Sequence, residues 1–488
     1  MGTVQRNVIY NVALSLSQVL FPLLVFPYVS RILGPERIGE IAFVDSITQW
    51  CILGAALGIP IYGVREIAKL KSDPEGRSIL FSELLILHLF ITVLVSSLFI
   101  LSFHTLAVLA PYQTLFWIGT GILFLHASLL EWFFQGMGLF PYITVRTILV
   151  RTATTLAVFW MVRSPDDTAL YYLLTLLGIG ANVALNGWYA RRFVRFTLRG
   201  IRVLRHVKPL FYIFSFALVT SVYTLLDTMI LGLMVDKAAV GYYTTALRLV
   251  KLVIALLVAV STVMVATLSF RIHRGDREEA VLLLRKSFAL TSLVGVPLSV
   301  GLFIVAPNVV LLFAGGDFKP AVAALRFLAP TILMIGLSNI FGMQVLNITN
   351  NERLFLRAAL AGMAISIAAN LLLIPGFRST GSAMANALTE AVVCTLLAVF
   401  ALKKFPFRPE WMAIAKAMLS ALPMPLIWWL LKQISLPEWS ETIVMVALAG
   451  SVYFAIQRFV WRNPLVGELA TSSLSFLSGQ TKAKEGHG

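Results

Sequence analysis

The apolar positions of this chain fall in long unbroken runs, without the alternation of a half-buried strand or the narrow stripe of a surface helix. Such a run reads as a membrane span when it holds about 20 residues, because about 30 Å of hydrocarbon is crossed at about 1.5 Å per helical residue. Clusters of charge, Pro and Gly divide the chain into fourteen such segments: 8–30, 40–63, 79–103, 113–135, 141–162, 168–190, 209–234, 240–270, 287–313, 325–348, 354–374, 380–402, 412–431 and 441–461. Arg146, Arg151 and Lys416 interrupt two of them, 141–162 and 412–431. The first run is too long for a signal peptide and lacks a small-residue cleavage site, so it reads as the first span. The pattern predicts an all-α polytopic membrane protein of about fourteen transmembrane helices.

Composition agrees and excludes the alternatives. Of the 488 residues, 59% are hydrophobic and 13% charged, against about 45–50% and about 25% in soluble domains. Mean hydropathy is +0.87. A soluble multidomain enzyme and a disordered chain are both ruled out. The net charge of +16 invites a nucleic-acid reading, but no soluble segment is long enough to carry such a fold. The charge instead maps onto loops. Lys and Arg at and beyond the span ends number 26 on the side of the two termini and 8 on the other. By the positive-inside rule both termini are expected in the cytoplasm, and an even number of spans likewise puts them on one side. Cys51 and Cys394 lie in separate apolar runs and suggest neither a disulfide framework nor a thiol metal site.

The largest polar insert, 191–208, carries seven basic residues and no acidic one. Phe193, Phe196, Ile201 and Leu204 would line one face of a helix lying on anionic lipid. A second, mixed-charge linker is expected at 271–286. The first insert separates two stretches with weak internal similarity. Ile32-Leu33-Gly34 with Gly39 matches Ile230-Leu231-Gly232 with Gly241, and Gln135-Gly136 before Arg146 matches Gln344 to Asn347 before Arg357. The division read from this is two pseudo-symmetric six-helix bundles, 1–200 and 201–405, then two extra transmembrane helices at 406–462 and a cytoplasmic tail at 463–488. Transporters built from repeats place their substrate between the halves. Trp132, Tyr171, Tyr172, Trp188, Tyr189, Tyr242 and Tyr243 fall near span ends and read as an interfacial aromatic belt. Pro22, Pro27, Pro297 and Pro330 read as helix kinks or hinges.

Signatures of covalent chemistry are absent: the sequence has no P-loop, GxSxG, HExxH or CxxC. The histidines, among them His88, His104 and His126, lack metal-ligand spacing, so no cofactor or metal is expected. The informative residues are the ionisable ones at membrane depth, where a central charge costs about 2.5–3.5 kcal/mol on insertion scales. They are Asp45, Glu83, Glu131, Arg146, Arg151, Asp227, Arg248, Lys251 and Glu390. Glu131 and Arg146 come out at similar depth, as do Asp227 and Arg248, so one reading is structural salt bridges. The other is a hydrated cavity whose cations hold an anionic head group. Arg248 and Lys251 share a helix face, and guanidinium pairs with phosphate in bidentate fashion. A carboxylate-dominated cavity would instead suit a cationic drug, and both signs occur here.

Four segments carry a family resemblance: Arg31-Ile32-Leu33-Gly34 with Gly39; Gly58-Ile59-Pro60-Ile61-Tyr62-Gly63-Val64-Arg65; Trp132-Phe133-Phe134-Gln135-Gly136 with Tyr142-Ile143; and Gly241-Tyr242-Tyr243 with Ala246. In order and spacing they resemble the bacterial lipid-linked oligosaccharide flippases, the polysaccharide-export branch of the multidrug/oligosaccharidyl-lipid/polysaccharide exporter superfamily. The resemblance implies a two-bundle inner-membrane transporter working by alternating access on an undecaprenyl-pyrophosphate-linked glycan for O-antigen, capsule or exopolysaccharide. It implies a cationic cavity, for which Arg146, Arg151, Arg248 and Lys251 are the candidates. It also implies a coupling ion, H+ or Na+, with Asp45, Glu131, Asp227 and Glu390 as candidate sites. A polysaccharide polymerase and a chain-length regulator would be neighbours. Glu40 and Asp45 depart from the repeat, since the second half has Tyr242 and Lys251 there. The competing readings are a cell-wall precursor flippase, a multidrug antiporter of the same superfamily and a membrane glycosyltransferase. The last needs a large outward loop that the sequence lacks.

Overall fold

The computed structural model describes residues 3–405, 407–434 and 436–467, so His487 and residues 468–488 of the expected tail lie outside the described residues. Every regular element among them is helical. In chain order the α-helices are α1 (Thr3–Ala56), α2 (Ile59–Lys69), α3 (Pro74–Thr105), α4 (Gln113–Ala127), α5 (Glu131–Met137), α6 (Phe140–Met161), α7 (Thr168–Ala190) and α8 (Val207–Met234). There follow α9 (Lys237–Arg274), α10 (Arg277–Ala314), α11 (Ala321–Leu328), α12 (Thr331–Asn339), α13 (Glu352–Lys404), α14 (Trp411–Ala421), α15 (Pro423–Leu431) and α16 (Glu438–Ala455). Eleven stretches among the described residues are long and apolar enough to cross a membrane, and the protein is a multi-pass membrane protein. The stretch Tyr10–Lys69 holds two of the predicted segments, and Glu352–Lys404 holds two more.

Those two stretches show why a helix must break. At about 1.5 Å per residue, the 54 residues of α1 would far exceed a bilayer. α1 turns at Gly34 (φ 74°, ψ 174°), a conformation glycine adopts without steric cost, and Pro35 follows. Pro22 and Pro27 stay inside the helix, so the expected break falls at Gly34. α13 breaks at Arg378 (φ 52°, ψ −126°), where the strained backbone coincides with an ion pair to Asp236. Pro297 lies within α10, whereas Pro330 stands at the N-terminus of α12. The predicted segment 412–431 is divided between α14 and α15, with Pro423 opening the second.

The two inserts also differ from expectation. Residues 191–202 are irregular, with turns at 191–193 and 199–200, rather than a surface helix, and a single short helical turn follows at Val203–His206. α3 supplies the reason: Ser78, Ser82 and Glu83 accept the backbone N–H groups of Arg195, Thr197 and Arg202. The 271–286 linker is helical except around Gly275, because α9 and α10 extend beyond the predicted span ends.

By contacts the described residues form two compact units, drawn from 1–248, 313–324 and 356–389, and from 249–312, 325–355 and 390–488. In the first, α1 packs against α4, α6 and α8, and α2 against α5. Its close approaches rest on glycine: a Cβ on Gly39 would strike the Lys237 carbonyl, and one on Gly241 the Pro35 carbonyl. Phe81, Trp132, Phe133 and Phe134 fill the core beneath α2. Trp132, Tyr172 and Tyr243 are therefore buried packing residues, whereas Trp188 is exposed as an aromatic anchor would be. In the second unit Leu293, Val296, Ala417, Met445 and Tyr453 form the core, and Tyr453 donates to the Leu293 carbonyl at 2.8 Å.

Candidate functional site

The first unit contains a cavity of about 680 Å³ walled by α1, α6 and α7, the α4–α5 junction and Arg248 of α9. That volume is in the range of small-molecule sites, about 300–1,000 Å³. Phe21, Val25 and Phe26 make its apolar side, and Thr154, Thr155, Tyr171, Thr175 and Asn182 its polar side. A second cavity of about 390 Å³ shares His126, Leu129 and Glu131 with it and reaches His88 and Gln135.

The charges are held by named contacts. Arg146 is buried, donates to Asn182 Oδ1 at 2.8 Å and pairs with Glu131 at 3.3 Å. One turn and a half further along α6, Arg151 reaches the cavity and donates to Ser17 Oγ at 2.9 Å. The Arg248 guanidinium lies 4.8 Å from the Phe26 ring centroid, within electrostatic reach of Asp45. Asp45 accepts from the Tyr172 hydroxyl at 3.4 Å. Three guanidinium groups thus meet two carboxylates, and the cluster keeps an excess positive charge. Such a wall holds an anion while its hydroxyl and amide groups meet neutral oxygens.

Of the residues singled out in the sequence, the structure gathers Arg146, Arg151, Arg248, Glu131 and Asp45 in this region. Lys251 is exposed and Glu390 buried, both in the second unit. The expected pairing of Glu131 with Arg146 is present. Asp227, aligned in depth with Arg248, is instead enclosed by neutral donors: Ser366 (2.8 Å) and Asn370 (2.7 Å) on Oδ1, Tyr243 (3.0 Å) and Asn386 (2.8 Å) on Oδ2. Ser382 donates to Asn370 Oδ1 at 2.8 Å, completing the network. A buried carboxylate with four donors is solvated without a cation, and those four bonds occupy its acceptor sites.

Sequence reading missed this enclosure and the Asn182 partner of Arg146. The signal was present as Ser366/Asn370 and Ser382/Asn386, each pair four apart and so on one helix face. No group of three or more His, Cys, Asp or Glu able to hold a metal occurs among the described residues.

Comparison with known proteins follows the same lines. A family model described as polysaccharide biosynthesis protein matches residues 4–270, and one described as lipid II flippase MurJ matches residues 175–450. A relative from Escherichia coli (strain K12), which carries the name of an O-antigen transporter, is 26% identical over 82% of this chain and 96% of its own length. Among solved structures, lipid II flippase MurJ in an inward closed conformation superposes with a TM-score of 0.76 at 15% identity, covering 94% of this chain and all of that one. An inward-facing multidrug resistance MATE family transporter gives 0.62 at 17% identity, over 82% of this chain and 99% of its own. These likenesses show the fold.

Proposed function

The chain belongs to the polysaccharide biosynthesis protein family, and from that premise we propose that it is a flippase for a polyprenyl-pyrophosphate-linked oligosaccharide repeat unit in surface polysaccharide synthesis. The observation that carries the reading is the cavity of about 680 Å³ with Arg151 and Arg248 on its wall. A pyrophosphate–glycan head cannot cross hydrocarbon unaided, since burying an unpaired ion costs many kcal/mol, whereas the polyprenyl tail is at home there. The protein therefore needs only to shelter the head. Arg151 and Arg248 would take the phosphates, and Thr154, Thr155, Thr175 and Asn182 the sugar hydroxyls. No bond is made or broken, so the activity is transport rather than catalysis. The named relative supports the glycan cargo, and the MurJ model match supports a lipid-linked one.

Movement against a gradient needs an energy source, and the chain carries no nucleotide-binding loop. We assign coupling to H+ or Na+. The Asp227 enclosure is the preferred site, ahead of Asp45, Glu131 and Glu390, because its carboxylate is buried without a paired cation, in a polar network that would open to exchange its donors for the ion. On this reading the protein sits in the bacterial inner membrane with both termini cytoplasmic. A polymerase and a chain-length regulator would act on the product it delivers.

A conditional deletion in the native host tests the proposal. Polyprenyl-linked repeat units are labelled with a membrane-impermeant glycan reagent on spheroplasts and on lysed membranes. The expected result is complete units labelled only after lysis, with surface polysaccharide lost. Normal surface polysaccharide with no trapped intermediate overturns it.

A further inference from the structure

The segment 191–206, which joins α7 to α8, has two faces. Its inner face is fixed to α3. Backbone N–H groups of Arg195, Thr197 and Arg202 donate to Ser78 Oγ (3.2 Å), Ser82 Oγ (2.9 Å) and Glu83 (2.5 Å). Arg77 of α3 returns a bond to the Phe193 carbonyl at 2.8 Å. Glu83, wholly buried, also accepts from the Arg205 guanidinium at 2.5 Å and lies 2.9 Å from His206 Nε2. His206 Nδ1 is in turn 2.8 Å from the Tyr62 hydroxyl of α2. The segment is a strap buckled to the first unit.

Its outer face is basic and apolar at once. Arg191, Arg195, Arg199 and Arg202 are exposed, and none enters a salt bridge with the described residues. Phe196, Leu198 and Leu204 stand beside them at 58%, 66% and 84% exposure. The one carboxylate bonded to the strap, Glu83, is spent on its inner face.

We propose that this strap is a docking surface for the anionic phospholipid headgroups of the leaflet at which α7 ends and α8 begins. Charge complementarity selects the occupant: a segment with six arginines and no acid matches a phosphodiester surface. Continuity with two spans keeps it at the membrane interface, because Ala190 closes α7 and Val207 opens α8. Guanidinium groups pair with lipid phosphates while Phe196, Leu198 and Leu204 enter the acyl boundary. Since α3 already holds the strap by hydrogen bonds, lipid binding does not have to order it. The surface is separate from the cavity and independent of the cargo.

The test uses the full-length protein in nanodiscs of phosphatidylcholine with and without phosphatidylglycerol. Hydrogen–deuterium exchange over residues 191–206 is expected to slow several-fold with phosphatidylglycerol, and high salt is expected to reverse the protection. The triple variant R195Q/R199Q/R202Q is expected to lose the difference between lipids. A spin label at F196C, in a C51S/C394S background, reads depth in the otherwise intact strap. Greater collision with oxygen than with a water-soluble nickel chelate supports the proposal. Equal exchange in both lipids, a water-accessible label at 196, or protection that appears only on adding a soluble protein fraction overturns it.

Discussion

The Arg146 guanidinium lies 3.3 Å from the Glu131 carboxylate, and the two partners differ in exposure: the Arg146 side chain is 3% exposed, that of Glu131 43%. Loss of either side is therefore unequal. Glu131→Ala leaves a buried cation with the Asn182 carbonyl and the Tyr142 ring but no carboxylate bonded to it among the described residues, whereas Arg146→Met removes the charge and leaves a carboxylate that the cavity solvates. Breaking a fully buried pair costs about 3–5 kcal/mol, and the exposure of Glu131 reduces this to roughly 2 kcal/mol here. Glu131→Ala is expected to lower the thermal midpoint in detergent more than Arg146→Met. The reverse order would mean that Asn182 alone satisfies the arginine.

Among the described residues, Arg151 and Arg248 line the cavity with no bonded carboxylate shown, so their removal bears on cargo rather than on folding. Losing one charge-assisted bond to phosphate costs about 1.5–3 kcal/mol, or about 10- to 100-fold in affinity. Arg151→Ala and Arg248→Ala are each expected to reduce surface polysaccharide sharply at unchanged membrane abundance, measured by complementation of the deletion. Lys at either position retaining activity would show that charge suffices, while failure of Lys would assign a role to the planar fork. Full activity in both Ala variants removes the cationic-cavity assignment.

What the sequence disclosed and what it withheld follow from range of interaction. Membrane segments are set by local composition, so runs such as 79–103 and 168–190 were legible and lie within α3 and α7. The break at Gly34 falls in the predicted connection between 8–30 and 40–63, whereas Pro22 and Pro27, which read locally as kinks, lie within a helix that continues through them. The strap was misread as a helix because its hydrogen bonds go to Ser78, Ser82 and Glu83, more than a hundred residues earlier. Similarly, Asp227 looked like a partner for Arg248 by depth alone. Its donors come from residues 243 to 386, a juxtaposition that helix spacing does not encode.

Asp227 accepts four hydrogen bonds, two on each oxygen, which a carboxylate can do and an amide cannot. In Asp227→Asn the new NH2 faces Tyr243 and Asn386, or Ser366 and Asn370, all of them donors. Each unsatisfied group costs about 1–3 kcal/mol, so the variant is expected to be less stable by several degrees. If the site takes Na+, sodium raises the thermal midpoint of the wild type by mass action and leaves Asp227→Asn unmoved. A sodium response equal in both proteins places the ion elsewhere. Transport that follows a pH gradient and ignores sodium assigns the coupling to protons.

Gly39 of α1 and Gly241 of α9 each face a backbone carbonyl, those of Lys237 and Pro35, so closely that a Cβ on either would overlap it. Backbone atoms cannot rotate aside as a side-chain tip can, and the helices would have to separate. Lys237 lies in the same crossing, its ammonium 3.7 Å from the Phe43 ring centroid and bonded to the Gly232 carbonyl, so separation also uncovers a cation–π contact. Overpacking of this kind costs about 1–3 kcal/mol. Gly39→Ala and Gly241→Ala are each expected to lower the thermal midpoint by several degrees, and the double variant by less than the sum, because the first separation makes room for the second methyl. Gly54→Ala, at a helical position with open space around it, is the control and is expected to be neutral or stabilising. Strict additivity of the first two would show that they act at independent contacts rather than at one crossing.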